Sequence, residues 1–282
     1  MLARLDQVLR RAQKDRYAVG AFNISNLEQI QAVVTAADLM QSPVIINVTE
    51  KAIAYAGLDI ISLIIRNYAK KLSIPIVLNL DHGRDLSIVR QCLGHGFTGI
   101  MYDGSRLSWT DNIRRTARVR IQAHAHGAGC EGELGQVKYP DEFKKDKQAS
   151  MTDPEQAVEF VKQTKIDALA VAIGNAHGQP SANEHLDFDR LKRIRRLVSR
   201  PLVLHGASGT PPKDIKRAIS NGICKINIDT DLRLAFSQTL RRTIKLHPGW
   251  IDPRALLLPS RDSLTNLVKQ KIVLFKSHRQ AK

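Results

Sequence analysis

Short runs of apolar and β-branched residues recur along the chain. Between them lie longer stretches in which apolar residues return every three or four positions. The runs Tyr17–Phe22, Pro43–Val48, Pro75–Leu80, Thr98–Tyr102, Gly127–Gly132, Asp167–Ile173, Pro201–Leu204 and Gly222–Ile228 predict eight strands. Several of them, such as IPIVLNL, DALAVAI and PLVLHG, are apolar almost throughout, which suits parallel strands covered on both faces. Ile30, Val33, Val34 and Ala37 follow helical spacing, and Ser25 or Asn26 followed by Glu28 marks the start of that helix. Asp153-Pro154 opens another, with proline early in the helix, where its missing N–H costs least. Eight strands alternating with helical stretches predict an α/β fold, a (β/α)8 TIM barrel, as a single domain over 1–282. An open doubly wound sheet is the competing arrangement, but no G-x-G-x-x-G turn follows the first strand. Two segments depart from the alternation. The polar, lysine-rich stretch 136–150 reads as a lid-like loop, and about 248–282 reads as a C-terminal helical extension.

The length of 282 residues and the 43% hydrophobic content fit such a barrel, which needs roughly 250 residues. The N-terminus MLARLDQVLRRAQ has no apolar stretch of the kind a secretory signal carries, and no run approaches the ~20 apolar residues of a membrane span. The cysteines are Cys92, Cys130 and Cys224, far apart and without a C-x-x-C pair, as expected of a reduced, cytoplasmic protein that uses no membrane. The formal charge of +16 is spread over segments that read as outer helices. It predicts a solvated basic surface and a field that draws in anionic substrates. Specific nucleic-acid binding is not expected, since no zinc finger, RNP motif or other recognition module is present.

Barrel enzymes carry their chemistry at the C-terminal ends of the strands. Read there, the chain offers Asn23, Thr49, Asp81 with His82, Asp103 with Gly104 and Ser105, Glu133, Asn175 with His177, His205 with Gly206 and Ser208, and Asn227 with Asp229 and Thr230. His82, His177 and His205 would face one mouth, and each is followed at once by glycine. Three imidazoles with open positions are a ligand set of catalytic zinc sites. Asp103 and Glu133 would either orient these histidines or offer an alternative metal position, and Asn23 and Thr49 would contact substrate. His124-Ala125-His126 looks like a metal motif but falls before the fifth strand, on the opposite side, and reads as a helix C-terminus. The turns His205–Thr210 and Asn227–Thr230 place small residues with free amides ahead of helix starts, as phosphate sites do.

Beyond single positions, the stretches AFNISNLEQIQAVV, SPVI, LDHG, GFTGIMYDGS, GELG, TDPEQAVEFV, DALAVAIGNAHG, PLVLHGASG, CKINIDTDLRLAF and DPR resemble the class II, metal-dependent fructose-bisphosphate and tagatose-bisphosphate aldolases across nearly the whole chain. The resemblance implies that Asp81 is the acid/base acting on the C4 hydroxyl and that His82, His177 and His205 bind Zn2+. It implies that Gly178, Gly206, Ala207, Ser208, Asn227, Asp229 and Thr230 contact dihydroxyacetone phosphate, and that Arg254 meets the far phosphate. The family also carries a Gly-Gly-x-Glu-Asp run with the proton-abstracting carboxylate. Here GELGQ is followed by VKYPDEFKKDK, so the glycine pair is absent and Asp141 or Glu142 stands at the expected spacing. That departure bears on the loop base and on any monovalent cation site.

The expected reaction is cleavage of a ketose 1,6-bisphosphate to dihydroxyacetone phosphate and an aldehyde, with fructose 1,6-bisphosphate first and tagatose 1,6-bisphosphate or another ketose phosphate as alternatives. A homodimer or homotetramer is expected. Lys225 shares a strand face with Asn227 and raises a Schiff-base aldolase as a competing mechanism. A metal-dependent hydrolase is a second alternative. A catalytically degenerate barrel acting as a basic binding protein is a third, of another class.

Overall fold

The computed structural model describes residues 1–137, 150–178 and 185–281. The lid-like segment 136–150 therefore lies largely outside the described residues, and with it Asp141 and Glu142. The strands are β1 (Val19–Asn23), β2 (Val44–Thr49), β3 (Ile76–Gly83), β4 (Gly99–Tyr102), β5 (Gly129–Leu134), β6 (Ala168–Val171), β7 (Leu202–Leu204) and β8 (Ile223–Ile228). They pair in parallel and in sequence order, and β8 returns to β1 to close the barrel. Each coincides with a predicted run. The ends shift where turn chemistry intervenes. Gly127, at φ 74°, closes the preceding helix, so β5 starts at Gly129 and carries Glu133 inside the strand rather than beyond it. β6 stops at Val171 because Thr152 takes over pairing with Ala172, donating its amide to the carbonyl and accepting from Ala172 N through Oγ1, both at 2.8 Å.

The helices are α1 (Leu5–Asp15), α2 (Leu27–Leu39), α3 (Glu50–Ala56), α4 (Leu58–Lys71), α5 (Leu86–Gly94), α6 (Trp109–Ala125), α7 (Pro154–Thr164), α8 (Phe188–Leu197), α9 (Pro212–Ser220), α10 (Thr230–Leu246) and α11 (Pro253–Leu274). Sequence signals fix their starts. Asn26 Oδ1 accepts from Gln29 N at 3.0 Å to cap α2, and Asp153 Oδ1 accepts from Gln156 N at 2.8 Å to cap α7. His124 lies in the last turn of α6, as expected of a cationic side chain at a helix C-terminus, and its Nε2 meets Asp167 Oδ2 at 2.7 Å. α11 supplies the C-terminal helical extension and packs on α2 and α10. Among the described residues no single helix is long and apolar enough to cross a membrane.

Two cores result from strand alternation. Outward side chains such as Phe22, Ile46, Leu78, Leu80 and Ile226 pack under the outer helices. Inward ones, among them Val19, Ala21, Ile45, Val77, Ala170 and Val203, fill the lower barrel together with Leu5, Val8, Leu9 and Ala12 of α1. α1 therefore plugs the N-terminal opening. Fully buried, Leu5 and Leu9 each contribute about 1.5–3 kcal/mol. The plug fits because β4 and β5 begin with glycine: a Cβ on Gly99 or Gly129 would stand 3.1 Å from the Leu5 Cβ, and that on Gly129 only 2.8 Å from the Asp6 amide. With the bottom sealed, polar inward positions gather at the top.

Candidate active site

A cleft of about 460 Å3 opens at the C-terminal end of the barrel, lined by residues that include Asn23, Thr49, Asp81, His82, His177, Gly178, His205, Gly206, Ser208, Asn227, Asp229 and Thr230. The sequence-predicted residues are thus largely brought together. Ala207 is buried beside the cleft. Arg254 is not among the lining residues. It opens α11 as a solvent-exposed side chain whose Nη2 pairs with Asp252 Oδ2 at 2.8 Å.

Asp81 and His82 are neighbours, and a regular strand would send them to opposite faces. The register of β3 against β4 shifts between Leu80 and Gly83, and His82 adopts φ 49°, a left-handed conformation uncommon outside glycine. The distortion turns the imidazole into the mouth while Asp81 keeps its inward place. The rings of His82 and His205 lie 4.7 Å apart and those of His82 and His177 5.1 Å apart, centroid to centroid. Gly206 lets the loops that carry His177 and His205 approach each other. It sits at φ 60°, and a Cβ there would fall 2.2 Å from the Ala176 carbonyl oxygen. Asn175 ties the same two loops by donating to the His205 carbonyl at 2.9 Å.

The outer nitrogens of two histidines rest on carboxylates. His82 Nδ1 lies 3.1 Å from Asp103 Oδ2, and His205 Nε2 lies 2.7 Å from Glu131 Oε1. Ionised carboxylates only accept, so these nitrogens carry the protons, and the inner ones, His82 Nε2 and His205 Nδ1, face each other at 3.1 Å. Asn227 Nδ2 also reaches His205 Nδ1, at 3.0 Å, and a cation or a proton between the two rings would relieve the remaining facing of lone pairs. Burial would lower His82, but Asp81, Asp103 and Glu133 outweigh it and push it up to about 9. Burial and the charges of His82 and His205 push His177 down to about 3, leaving a neutral ring. Carboxylate-backed imidazoles are the usual support of a metal-ligating histidine, so the donor set fits a divalent transition metal. Asp81, His82 and His205 place ligand atoms within 4.8 Å of one another, as do His82, Asp103 and Glu133. Glu133 reinforces the fit. Among the described residues its buried Oε2 has no hydrogen-bond partner, and burial followed by repulsion from Asp103 pushes its carboxyl up to about 8, an arrangement that a nearby cation would relieve.

Asp81 is held differently. Burial would raise it, yet the charges of His82, His205 and Lys225 and the Asn23 amide hold it below the usual carboxylate range. Asn23 Nδ2 donates to its Oδ2 at 2.7 Å and Asn227 Nδ2 to its Oδ1 at 3.0 Å. Behind Asn23 runs a buried ladder, Asn79 to Asn47 at 2.9 Å and Asn47 to Asn23 at 3.4 Å. Sequence reading missed Asn47, Asn79 and Glu131. The signal was available: each is a polar residue two positions before a strand-end residue, Thr49, Asp81 and Glu133 respectively, and therefore on the same inward face. Lys225 does point into the barrel, but its Nζ is 2.6 Å from Glu131 Oε2, below His205, with both side chains fully buried. A paired ammonium at that depth is a counter-ion and not an exposed amine nucleophile.

On the β7–β8 side the cleft is built for an anion. α10 points its N-terminus at the cleft, with Thr230 as its first residue. Gly206, Ser208 and Gly178 line the approach. The helix dipole favours negative charge there, and the first-turn amide of Asp231 donates to Ser208 Oγ at 3.2 Å.

A closed parallel barrel with histidines and carboxylates converging on its mouth, beside a helix N-terminus, is the architecture of a metal-dependent barrel enzyme. The comparisons name the family. The profile described as "Fructose-bisphosphate aldolase class-II" matches residues 3–280. A fructose-bisphosphate aldolase of Thermus caldophilus is 40% identical, covering 96% of this chain and 97% of the relative. A sulfofructosephosphate aldolase of Alkalicoccus urumqiensis is 37% identical, covering 98% and 96% respectively. The crystal structure of the YdjI aldolase from Escherichia coli superposes with a TM-score of 0.87 at 36% identity, covering all of both chains. The chain belongs to the class II fructose-bisphosphate aldolase family and is a lyase. The family is metal-dependent and acts on phosphorylated sugars.

Proposed function

We propose that the protein catalyses the reversible, zinc-dependent aldol cleavage of fructose 1,6-bisphosphate to dihydroxyacetone phosphate and glyceraldehyde 3-phosphate. The observation that carries the reading is the inward pair of imidazole nitrogens, each ring backed by a carboxylate, with an ionised Asp81 alongside. His82, His177 and His205 would hold the ion, with Asp103 and Glu131 orienting their rings. Bound there, a divalent ion supplies Lewis acidity to the substrate ketone. Asp81 takes the proton of the C4 hydroxyl as the C3–C4 bond breaks, and its two amide donors keep the carboxylate aimed while it is basic. The electron pair of that bond stays on C3, next to the ketone, and C3 is then protonated by Asp141 or Glu142 of the segment beyond Val137. The β7–β8 loops and the start of α10 hold the 1-phosphate and fix the reacting geometry. Cleavage of sulfofructose phosphate is a second reading, supported by the sulfofructosephosphate aldolase among the relatives. Self-association into a dimer or tetramer is also proposed. It is supported by the exposed apolar side chains Leu246, at the end of α10, and Trp250 and Ile251, in the turn before α11, and sedimentation would measure it. A coupled assay on a panel of ketose phosphates, before and after chelation and zinc restoration, tests the central reading. Cleavage that survives complete metal removal would refute it.

A further inference from the structure

A further cleft opens at the opposite end of the barrel. It lies where the C-terminal halves of α1, α8 and α9 meet the starts of β1 and β8, and it shares no lining residue with the catalytic cleft. Its volume of about 600 Å3 is that of a small-molecule site. Its charge is one-sided: Arg16, Lys192, Arg195 and Arg196 line it, and no acidic residue does. Two of these cations are committed. Arg195 donates through Nη1 to the Arg200 carbonyl at 2.9 Å and through Nη2 to that of Val198, which closes the end of α8. Gly222, at φ 102°, makes room for it, since a Cβ there would fall 2.3 Å from Arg195 Cδ. Lys192 Nζ lies 3.0 Å from Asp189 Oδ1. The end of α9 is answered locally, with the Arg217 carbonyl accepting from the Ser220 hydroxyl at 2.8 Å and the Asn221 amide at 2.7 Å. Arg16 and Arg196 are left. Among the described residues neither side chain has a hydrogen bond or an ion pair, and an anion between them would offset their mutual repulsion. Tyr17 adds a donor. It is 2% exposed and lines the cleft, and burial pushes its hydroxyl up to about 12, so the proton stays in place at neutral pH. Among the described residues that hydroxyl also has no hydrogen-bond partner.

We propose that this cleft is a second ligand site that takes a small phosphate monoester. Arg16 and Arg196 hold the phosphate, and Tyr17, with the apolar wall of Ala12, Ile219 and Ile223, takes the body of the ligand. Guanidinium groups donate paired hydrogen bonds to phosphate oxygens. A bare phosphate fills only a small part of such a volume, so the body is the size of a sugar or a nucleoside. Sugar phosphates and nucleoside monophosphates share this chemistry. The inference does not depend on the reaction at the other end of the barrel.

Titration calorimetry on the full chain tests it, with adenosine monophosphate, ribose 5-phosphate, inorganic phosphate and adenosine as probes. The proteins are the parent, Arg16→Asn, Arg196→Ala and the double variant. Asparagine is chosen at position 16 because it tolerates the left-handed backbone found there, at φ 57°. At least one of the two esters should bind the parent more tightly than inorganic phosphate does, and adenosine should not bind. Each single variant should weaken that ester by about tenfold, and the double variant by more, as expected for lost charge-assisted contacts. All three variants should melt with the parent, since both side chains are exposed and unpaired. The tighter ester in the parent tells a nucleotide site from a sugar-phosphate site. Ester binding unmoved in the double variant overturns the proposal, because the ligand then sits elsewhere. So does inorganic phosphate or adenosine binding as tightly as the better ester, or the failure of both esters to bind the parent at millimolar concentration.

Discussion

Glu131→Gln tests the least expected part of the site. Glu131 is fully buried, with one carboxylate oxygen on His205 Nε2 at 2.7 Å and the other on Lys225 Nζ at 2.6 Å. The amide keeps the size of the side chain and removes its charge. Lys225 is then left as a buried ammonium without a counter-ion, and breaking one side of a buried pair costs about 3–5 kcal/mol. For a chain of this size that corresponds to a fall of about 6–20 °C in Tm. The second effect is on metal. The amide has a single, neutral acceptor where the carboxylate had two, so the charged support that fixes the His205 tautomer and ring orientation is removed, and loss of such support costs about 10–100-fold in metal affinity. The two effects separate in the double variant Glu131→Gln/Lys225→Met, which removes the stranded charge. Calorimetric melting and competition with a chelator indicator of known affinity read them independently. The double variant should recover most of the Tm and little of the zinc affinity. Full recovery of zinc affinity would show that Glu131 serves Lys225 alone. A single variant that melts with the parent would refute the buried-charge argument.

His82→Ala, His177→Ala and His205→Ala should each lower bound metal and cleavage together, measured by elemental analysis and coupled assay. Full activity in any metal-depleted variant would contradict the ligand assignment. Asp81→Asn should keep the metal but lose C–C cleavage by a factor of about 100 or more, as expected for removal of a general base. Asp141→Asn and Glu142→Gln, singly and together, should slow solvent tritium exchange into dihydroxyacetone phosphate; exchange at the parent rate in the double variant would place the C3 base elsewhere. Gly206→Ala should lower kcat and Tm together, because its Cβ would press on the Ala176 carbonyl at a positive φ and drive the His177 and His205 loops apart. Parent-like values would show that the backbone there yields easily.

The run-and-helix alternation by itself determined the barrel, because strands covered on both faces need continuous apolar runs and parallel neighbours need crossovers. The strand-end rule picked out His82, His177, His205, Asp81 and the turns after β7 and β8, which the barrel brings to one cleft, since a plugged barrel leaves polar inward side chains only one open end. Alternation also placed Lys225 inside the barrel, though it could not say what met it there. Three decisions belonged to the tertiary structure. The left-handed turn at His82 brings two adjacent residues to one site, and no periodicity encodes a break in periodicity. The partners of Lys225 and His205 come together on Glu131 across strands distant in sequence, as do the amides that ladder toward Asp81. Arg254 carries the right chemistry for a phosphate, and the fold sets it as an exposed side chain at the start of α11, paired with Asp252 and not among the residues that line this cleft. A sequence specifies which groups are available and which face of an element they occupy. Which groups meet across the barrel depends on strand order and stagger, which only ring closure sets.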